Sequence, residues 1–233
     1  DGGGNRLYDV GAKTVVPYLH RRGIRELYMV LNTHPDLDHL GGLKSVVKNV
    51  RVRYLGLPAS IADAADYSEL RAVARTQGIT VLPLHRGQRI NLEKDFKLSI
   101  LHPGKTPAAP DRGNEESLVA LIEYGKFSAL LTGDIGTATM DDILKNNRLD
   151  GMTLVKIPHH GSQGSLNERF YEKIKPRYGV ISVGRNNLFG HPSQAVLDVL
   201  KEQGIKVLRT DRNGAIIVLS DGRQVKIRVT MDG

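Results

Sequence analysis

Apolar positions along this chain recur with two periods, one near 3.6 residues and one near 2, and they alternate along its length. From Lys13 to Arg22, Val15, Val16 and Leu19 share one face and predict an amphipathic helix closed by Gly23. The run Leu27-Tyr28-Met29-Val30-Leu31 reads as a buried strand, Leu43–Val47 as a helix and Arg53–Leu57 as a short strand. An alanine-rich stretch, Ile61–Gln77, predicts a longer helix that ends at Gly78. Short strands are expected at Thr80–Leu84, Arg89–Ile90 and Leu98–Leu101, then an irregular loop of prolines and glycines over Pro103–Gly113. Leu118–Tyr124 and Phe127–Thr132 should pair as a hairpin around Gly125-Lys126. Beyond it the pattern gives a helix at Asp141–Lys145, a strand at Leu154–Ile157, a helix at Asn167–Ile174 and a strand at Tyr178–Val183. Ser193–Gln203 follows as a helix capped by Ser193 and closed at Gly204. The last strands are Lys206–Arg209, Ala215–Leu219 and Val225–Val229, the final pair turning at Asp221-Gly222. With no repeats, low-complexity tracts or linker, this predicts one α/β domain over residues 1–233, with mixed sheets and outer helices. Asp1-Gly2-Gly3-Gly4 is a turn signal with no strand before it, so we expect the domain to be a fragment of something longer.

Composition narrows the class without fixing it. A hydrophobic fraction of 40% and a charged fraction of 25% are ordinary for a globular protein. No apolar run reaches the roughly 18 residues of a membrane-spanning helix. Cysteine is absent, which excludes disulfides and thiolate metal sites. The 33 basic residues exceed the 25 acidic ones by 8, and such an excess favours polyanionic partners such as nucleic acid or an anionic membrane surface.

The chemistry concentrates in Thr33-His34-Pro35-Asp36-Leu37-Asp38-His39-Leu40-Gly41-Gly42, directly after the first buried strand. Alternate side chains of an extended or tightly turned segment point the same way, so His34, Asp36 and Asp38 can converge while His39 turns to a neighbouring point. Imidazole and carboxylate suit borderline divalent ions, and two such ions about 3.5–4 Å apart make a hydrolytic pair. The bland reading is a polar loop rich in histidine and aspartate. Further candidates also follow apolar runs: Asp134 after Ala129–Thr132, His159-His160-Gly161-Ser162 after Leu154–Ile157, and His191 after Tyr178–Val183. Taken singly, Asp134 could cap a helix and His191 could be a solvated loop residue. His20, His85 and His102 lack such a setting and read as structural or surface residues.

Together these motifs resemble the metallo-β-lactamase superfamily: His-x-Asp-x-Asp-His-x-Gly-Gly, Asn114-x-x-Ser117-Leu118-Val119, Thr-Gly-Asp134, Pro-His-His160-Gly-Ser, and Gly-His191-Pro. Within it, the likeness is to the soluble domain of the competence proteins that take DNA into bacteria, and it covers Asp1 to about Val229. The resemblance implies an αββα sandwich with a dinuclear metal site. It also supports the fragment reading, because the family's opening Asp-Val-Gly-Gln-Gly-Asp and first hairpin are absent.

Carried onto this chain, the resemblance gives His34 and Asp36 one ion, Asp38 and His39 the other, with Asp134 bridging through its two oxygens and His160 completing the second. Typical members carry histidine where this chain has Asn114 and Asp36. An oxygen-richer site leans toward Mn²⁺ over Zn²⁺ on ligand hardness. The implied activity is a metal-dependent nuclease on single- or double-stranded DNA, with Asp38 holding the activating ion and His159 or His191 donating a proton to the leaving alkoxide. Lys156, Ser162 and Arg185 are expected to hold the phosphate backbone, Lys156 having a solvated strand position as its plain alternative. The resemblance further implies a soluble, extracytoplasmic domain of a larger membrane-embedded DNA channel protein. The competing readings are a non-catalytic domain that binds or guides DNA, and a small-molecule phosphodiesterase.

Overall fold

A computed structural model describes residues 1–5, 7–105 and 113–231, so most of the loop expected over Pro103–Gly113 lies outside the described residues. The chain divides into two compact units, Asp1–Arg86 with Pro103–Leu118, and Gly87–His102 with Val119–Gly233.

The first unit holds α1 (Val16–Arg21), β1 (Glu26–Leu31), α2 (Leu37–Leu40), α3 (Leu43–Asn49), β2 (Arg51–Pro58), α4 (Ser68–Thr76) and β3 (Thr80–Leu84). Its three strands are parallel in the order β1-β2-β3, with Leu31 opposite Gly56 and Tyr54 opposite Thr80. Parallel neighbours need a crossover, and α3 and α4 supply the two crossings. Their inner faces, Leu43, Val46, Val47, Leu70 and Ala74, pack with Val30, Val52, Leu55 and Leu57 in one core. Gly56 is the narrow point of the sheet: a Cβ there would lie 2.5 Å from side-chain carbons of both Leu31 and Leu84.

The helix expected over Ile61–Gln77 is shorter than its alanine content suggests. Ala64 is extended at ψ 148°, a single 3-10 turn follows over Ala65–Tyr67, and α4 starts only at Ser68. Burial of Tyr67 accounts for the break. Its ring is fully buried and its hydroxyl donates to Asn32 Oδ1 at 2.7 Å, which fixes the backbone short of a helical path. Arg71 then ties the non-helical segment down by donating to Ala62 O and Asp63 Oδ1.

The second unit contains β4 (Arg89–Glu93), β5 (Phe96–His102), β6 (Val119–Tyr124), β7 (Phe127–Leu131), α5 (Thr137–Asn146), β8 (Leu154–Lys156), α6 (Glu168–Ile174), β9 (Tyr178–Ile181), α7 (Gln194–Glu202), β10 (Lys206–Arg209), α8 (Thr210–Asn213), β11 (Ile216–Ser220) and β12 (Val225–Val229). Strands β4 to β7 form an antiparallel meander, and β7 to β10 run parallel, giving a seven-stranded sheet ordered β10-β9-β8-β7-β6-β5-β4. The β6–β7 hairpin turns at Gly125-Lys126, and β11–β12 is a separate antiparallel pair. Leu130, Val155 and Ile181 at the centre of the parallel half are wholly buried among α5, α6 and α7. Three loops leave the carboxyl ends of β7, β8 and β9, the edge at which open α/β sheets place ligands. Helix α8 had no signal in the hydrophobic pattern, being a four-residue turn.

In the first unit, the double glycine that closes the His/Asp segment is required by backbone contact. Gly42 N–H donates to Gly3 O at 2.7 Å and Gly2 N–H to His39 O at 2.7 Å. A Cβ on Gly42 would sit 2.3 Å from Gly2 O and 2.5 Å from Gly11 N. Gly42→Ala is therefore expected to lose about 2–3 kcal/mol by overpacking against backbone that cannot yield. Thermal unfolding by circular dichroism should show a fall of roughly 5–10 °C. Gly23→Ala, with nothing within 4 Å, should show a smaller fall.

Candidate metal centre

In the first unit β1 delivers the chain into Asn32–Asp36, and the ligand candidates follow. Asp36 is the residue before α2, at φ −60° and ψ 145°, while Asp38 and His39 lie in the single helical turn itself. This geometry sorts the four candidates into pairs. His34 Nε2 is 3.6 Å from Asp36 Oδ2, and His39 Nε2 is 3.8 Å from Asp38 Oδ2. Both separations exceed a hydrogen bond. They are close to the spacing of two atoms sharing one ion, roughly 3.4 Å across a tetrahedral edge for bonds near 2.1 Å. The two rings lie 4.1 Å apart at an interplanar angle of 46°, His34 is 1% exposed, and its Nε2 is a buried nitrogen with no hydrogen-bond partner.

The remaining ring nitrogens explain why those Nε2 atoms face outward from the backbone. Thr33 Oγ1 donates to Asp1 Oδ2 at 2.9 Å, so its proton is committed and it accepts from His34 Nδ1 at 3.0 Å. His39 Nδ1 lies 2.8 Å from the same Asp1 Oδ2. Asp1 Oδ1 meanwhile accepts from the Thr33 backbone N–H at 2.7 Å and from Asn32 Nδ2 at 3.1 Å. Protonated Nδ1 atoms leave lone pairs on both Nε2 atoms, the tautomer a divalent ion needs. Asp1 was not among the expected site residues. Its signal was position, one residue ahead of the glycines that pack on Gly41-Gly42.

Asn114 is the second residue of the 3-10 turn Gly113–Glu116 and is half-buried. That segment is tied to the histidine loop by the Leu118 N–H, which donates to Thr33 O at 2.8 Å.

The second unit gathers Asp134, Lys156, His159, His160 and His191 after β7, β8 and β9. Asp134, 3% exposed, has Oδ2 at 3.1 Å from His160 Nε2. His160 Nδ1 donates to Ser182 O at 2.6 Å, which in the neutral ring places the lone pair on Nε2. His159 and His160 hold φ of 47° and 54°, a left-handed conformation that costs about 1–3 kcal/mol per non-glycine residue. Gly161 continues it at φ 82°, where a Cβ would be 2.5 Å from Pro192 Cβ. The strain is held by Ser193 N–H to Gly161 O at 2.9 Å and Ser162 N–H to His159 O at 2.8 Å. It brings the His159 ring to 5.8 Å from His191. Burial and the adjacent His159 and His160 lower the His191 pKa from its ordinary value, with Asp134 opposing.

Of the residues expected to hold phosphate, Lys156 and Arg185 each have partners within the protein. Lys156 Nζ donates to Gly133 O at 2.8 Å, to Asp134 Oδ1 at 3.2 Å and to Ile157 O at 3.4 Å. It is a positioning cation for Asp134, and it sets Oδ1 against ammonium, with Oδ2 the oxygen beside His160. Ser162 is half-buried in the turn after His160, and Arg185 is exposed, its guanidinium reaching Asp211 O and Met231 Sδ.

In both units the donors present suit a borderline divalent ion. An unpartnered buried Nε2 and three histidines with their Nδ1 atoms backed by protein acceptors are what such an ion requires.

The family described as the metallo-beta-lactamase superfamily matches residues 1–185. Among curated proteins, the chain is 34% identical to ComE operon protein 3 of Bacillus subtilis, over 90% of this chain and 26% of that protein. It is 32% identical to competence protein ComA of Neisseria gonorrhoeae, over 90% and 28%. The chain thus spans about a quarter of the length of these curated relatives. Among solved structures, Zn²⁺-bound PqqB of Methylobacterium extorquens has a TM-score of 0.52 at 12% identity, over 78% of this chain and 71% of that one. CmlA, a diiron β-hydroxylase of Streptomyces venezuelae, also reaches 0.52, at 15% identity over 79% and 44%. These two likenesses bear on the fold, and they agree with the α/β class expected from the sequence.

Removing the Asp1 carboxylate should release both His39 and Thr33. Asp1→Ala is expected to weaken Mn²⁺ or Zn²⁺ binding by about 10–100-fold, read by competition with a chromogenic chelator. Unchanged affinity would mean that Asp1 does not set the tautomers.

Proposed function

The chain belongs to the metallo-β-lactamase superfamily, and we propose that it is a metal-dependent phosphodiesterase that cuts DNA, degrading one strand during uptake in natural competence. The observation that carries this reading is the set of Nε2 atoms of His34, His39 and His160, each within 3.8 Å of a carboxylate oxygen, on rings whose Nδ1 atoms are hydrogen-bonded within the protein. Such a backed Nδ1 is what a metal-ligating histidine requires. The polymer substrate is supported by the excess of 8 positive charges and by the names of the competence relatives.

In this reading His34, Asp36, Asp38, His39, Asp134 and His160 hold two divalent ions, with Asn114 as a further oxygen donor. Mn²⁺ is favoured over Zn²⁺ because Asp36 and Asn114 supply oxygen where relatives of the resemblance carry nitrogen. When bound, the ions activate water and neutralise charge developing on the phosphoryl oxygens. Lys156 holds Asp134 in place through Oδ1. His191 and His159, their rings 5.8 Å apart, are the groups that would hand a proton to the leaving alkoxide. The domain would belong to a larger membrane-embedded channel protein, facing away from the cytoplasm. The quarter-length coverage of the relatives supports a larger protein, and none of the described helices is long and apolar enough to cross a membrane itself.

Labelled single- and double-stranded DNA incubated with Mn²⁺, Mg²⁺, Zn²⁺ or EDTA tests the activity. Cleavage should require a divalent ion, be strongest in Mn²⁺ and vanish in Asp38→Ala. DNA that is bound but uncut with every ion would replace the nuclease by a guiding domain.

Metal content separates the histidines. His191→Ala should retain two ions by mass spectrometry while turnover falls roughly 10²–10⁴-fold. His160→Ala and Asp134→Ala should lose metal along with activity. If His191→Ala holds one ion and His160→Ala two, their roles are exchanged.

A further inference from the structure

The loop between β9 and α7 carries two large apolar side chains into solvent, Leu188 at 98% exposure and Phe189 at 83%. Leaving a side chain of that size in water forgoes about 1.5–3 kcal/mol of burial. The other three phenylalanines are buried or half-buried, so Phe189 alone among them is left out. The loop around it is not slack. Asn187 accepts from His191 N–H at 2.8 Å through Oδ1, donates to His191 O at 2.8 Å through Nδ2, and reaches Gly184 O at 3.2 Å. One amide therefore clamps both ends of the tip, and Gly190 at φ 68° makes the return. The phenyl ring is thereby held 5.9 Å from the His191 ring at an interplanar angle of 17°.

A flat ring, mostly in water, held nearly parallel to a candidate proton donor has the form of a stacking platform. We propose that Phe189 stacks a nucleobase of single-stranded DNA, with Leu188 flanking it, so that the attached phosphodiester lies beside His191 and His159. The inference rests on the DNA-processing reading and names its substrate as unpaired strands. A base inside a duplex already has both faces stacked and cannot use an isolated ring. Arg185, exposed in the same loop, supplies a cation for the neighbouring phosphate. The chain's net positive charge favours a polyanion over an uncharged apolar partner. Base–aromatic stacking is sequence-tolerant, which suits a protein that handles DNA of any sequence.

The test is fluorescence anisotropy in EDTA, which removes cleavage and so separates base recognition from catalysis. The probes are a labelled oligothymidylate and an abasic strand with the same number of phosphates. The wild-type chain should bind the oligothymidylate about 5- to 150-fold more tightly than the abasic strand, the span of one base–aromatic stack. That ratio should persist as salt is raised, because phosphate contacts weaken for both strands alike. Phe189→Ala should reduce the ratio toward one, and Phe189→Trp should restore it, both with unchanged circular dichroism. Loss of the ratio in Phe189→Ala from a chain that never cleaves DNA would uphold the platform and sink only the nuclease. Equal binding of the two strands by wild type, or a ratio untouched by Phe189→Ala, overturns the proposal. So does capture by anionic phosphatidylglycerol vesicles that depends on Phe189 while oligonucleotide binding does not, since the loop would then be a membrane contact.

Discussion

An imidazole can lend a lone pair to a cation only when its other nitrogen carries the proton, and much of the local structure around the candidate ligands serves that condition. In the first unit the condition traces back to the Asp1 carboxylate, which accepts from Thr33 and His39 and, through Thr33, sets His34. Asp1 can reach them because Gly2 and Gly3 lie directly on the backbone of His39, Gly41 and Gly42, with no space for a Cβ at the contact. The double glycine is therefore part of the ligand chemistry, though it bears no ligand.

The second unit meets the same condition by another route. His160 Nδ1 is held by a main-chain carbonyl, Ser182 O, and reaching it requires two consecutive non-glycine residues in a left-handed conformation. Strain of this kind persists only where surrounding bonds enforce it, and it is concentrated here at the end of β8. Lys156 adds a charge the ligand set would otherwise lack. Carboxylates crowded at one site repel one another, and the half-buried Lys156 ammonium at 3.2 Å from Asp134 Oδ1 offsets that repulsion. The same ammonium distinguishes the two Asp134 oxygens, which a sequence alone treats as equivalent.

Burial divides the labour between core and site. The parallel half of the large sheet is apolar through Leu130, Val155 and Ile181, and polar residues begin as each strand ends. Side chains that carry charge are thus presented from the strand ends, with Asp134 itself held below the surface. Leu188 and Phe189 depart from this rule, being apolar and outward on a clamped loop.

Period and punctuation in the sequence determined most of the elements. The strand Glu26–Leu31, the hairpin at Gly125-Lys126 and the helix capped by Ser193 are local consequences of alternation, glycine turns and capping, so they were legible without a fold. The density of histidine and aspartate after β1 likewise marked the candidate site, because metal ligation needs those residue types whatever holds them. Tertiary structure decided the rest. Tyr67 broke a helix that alanine content favoured, since burying its ring and pairing its hydroxyl with Asn32 outweighed propensity. Lys156 was found to pair with Asp134, and Asp1 to be the residue that backs two histidines, neither of which the sequence showed. Each of these depends on atoms more than twenty residues apart meeting within about 3 Å, a distance that local spacing does not encode.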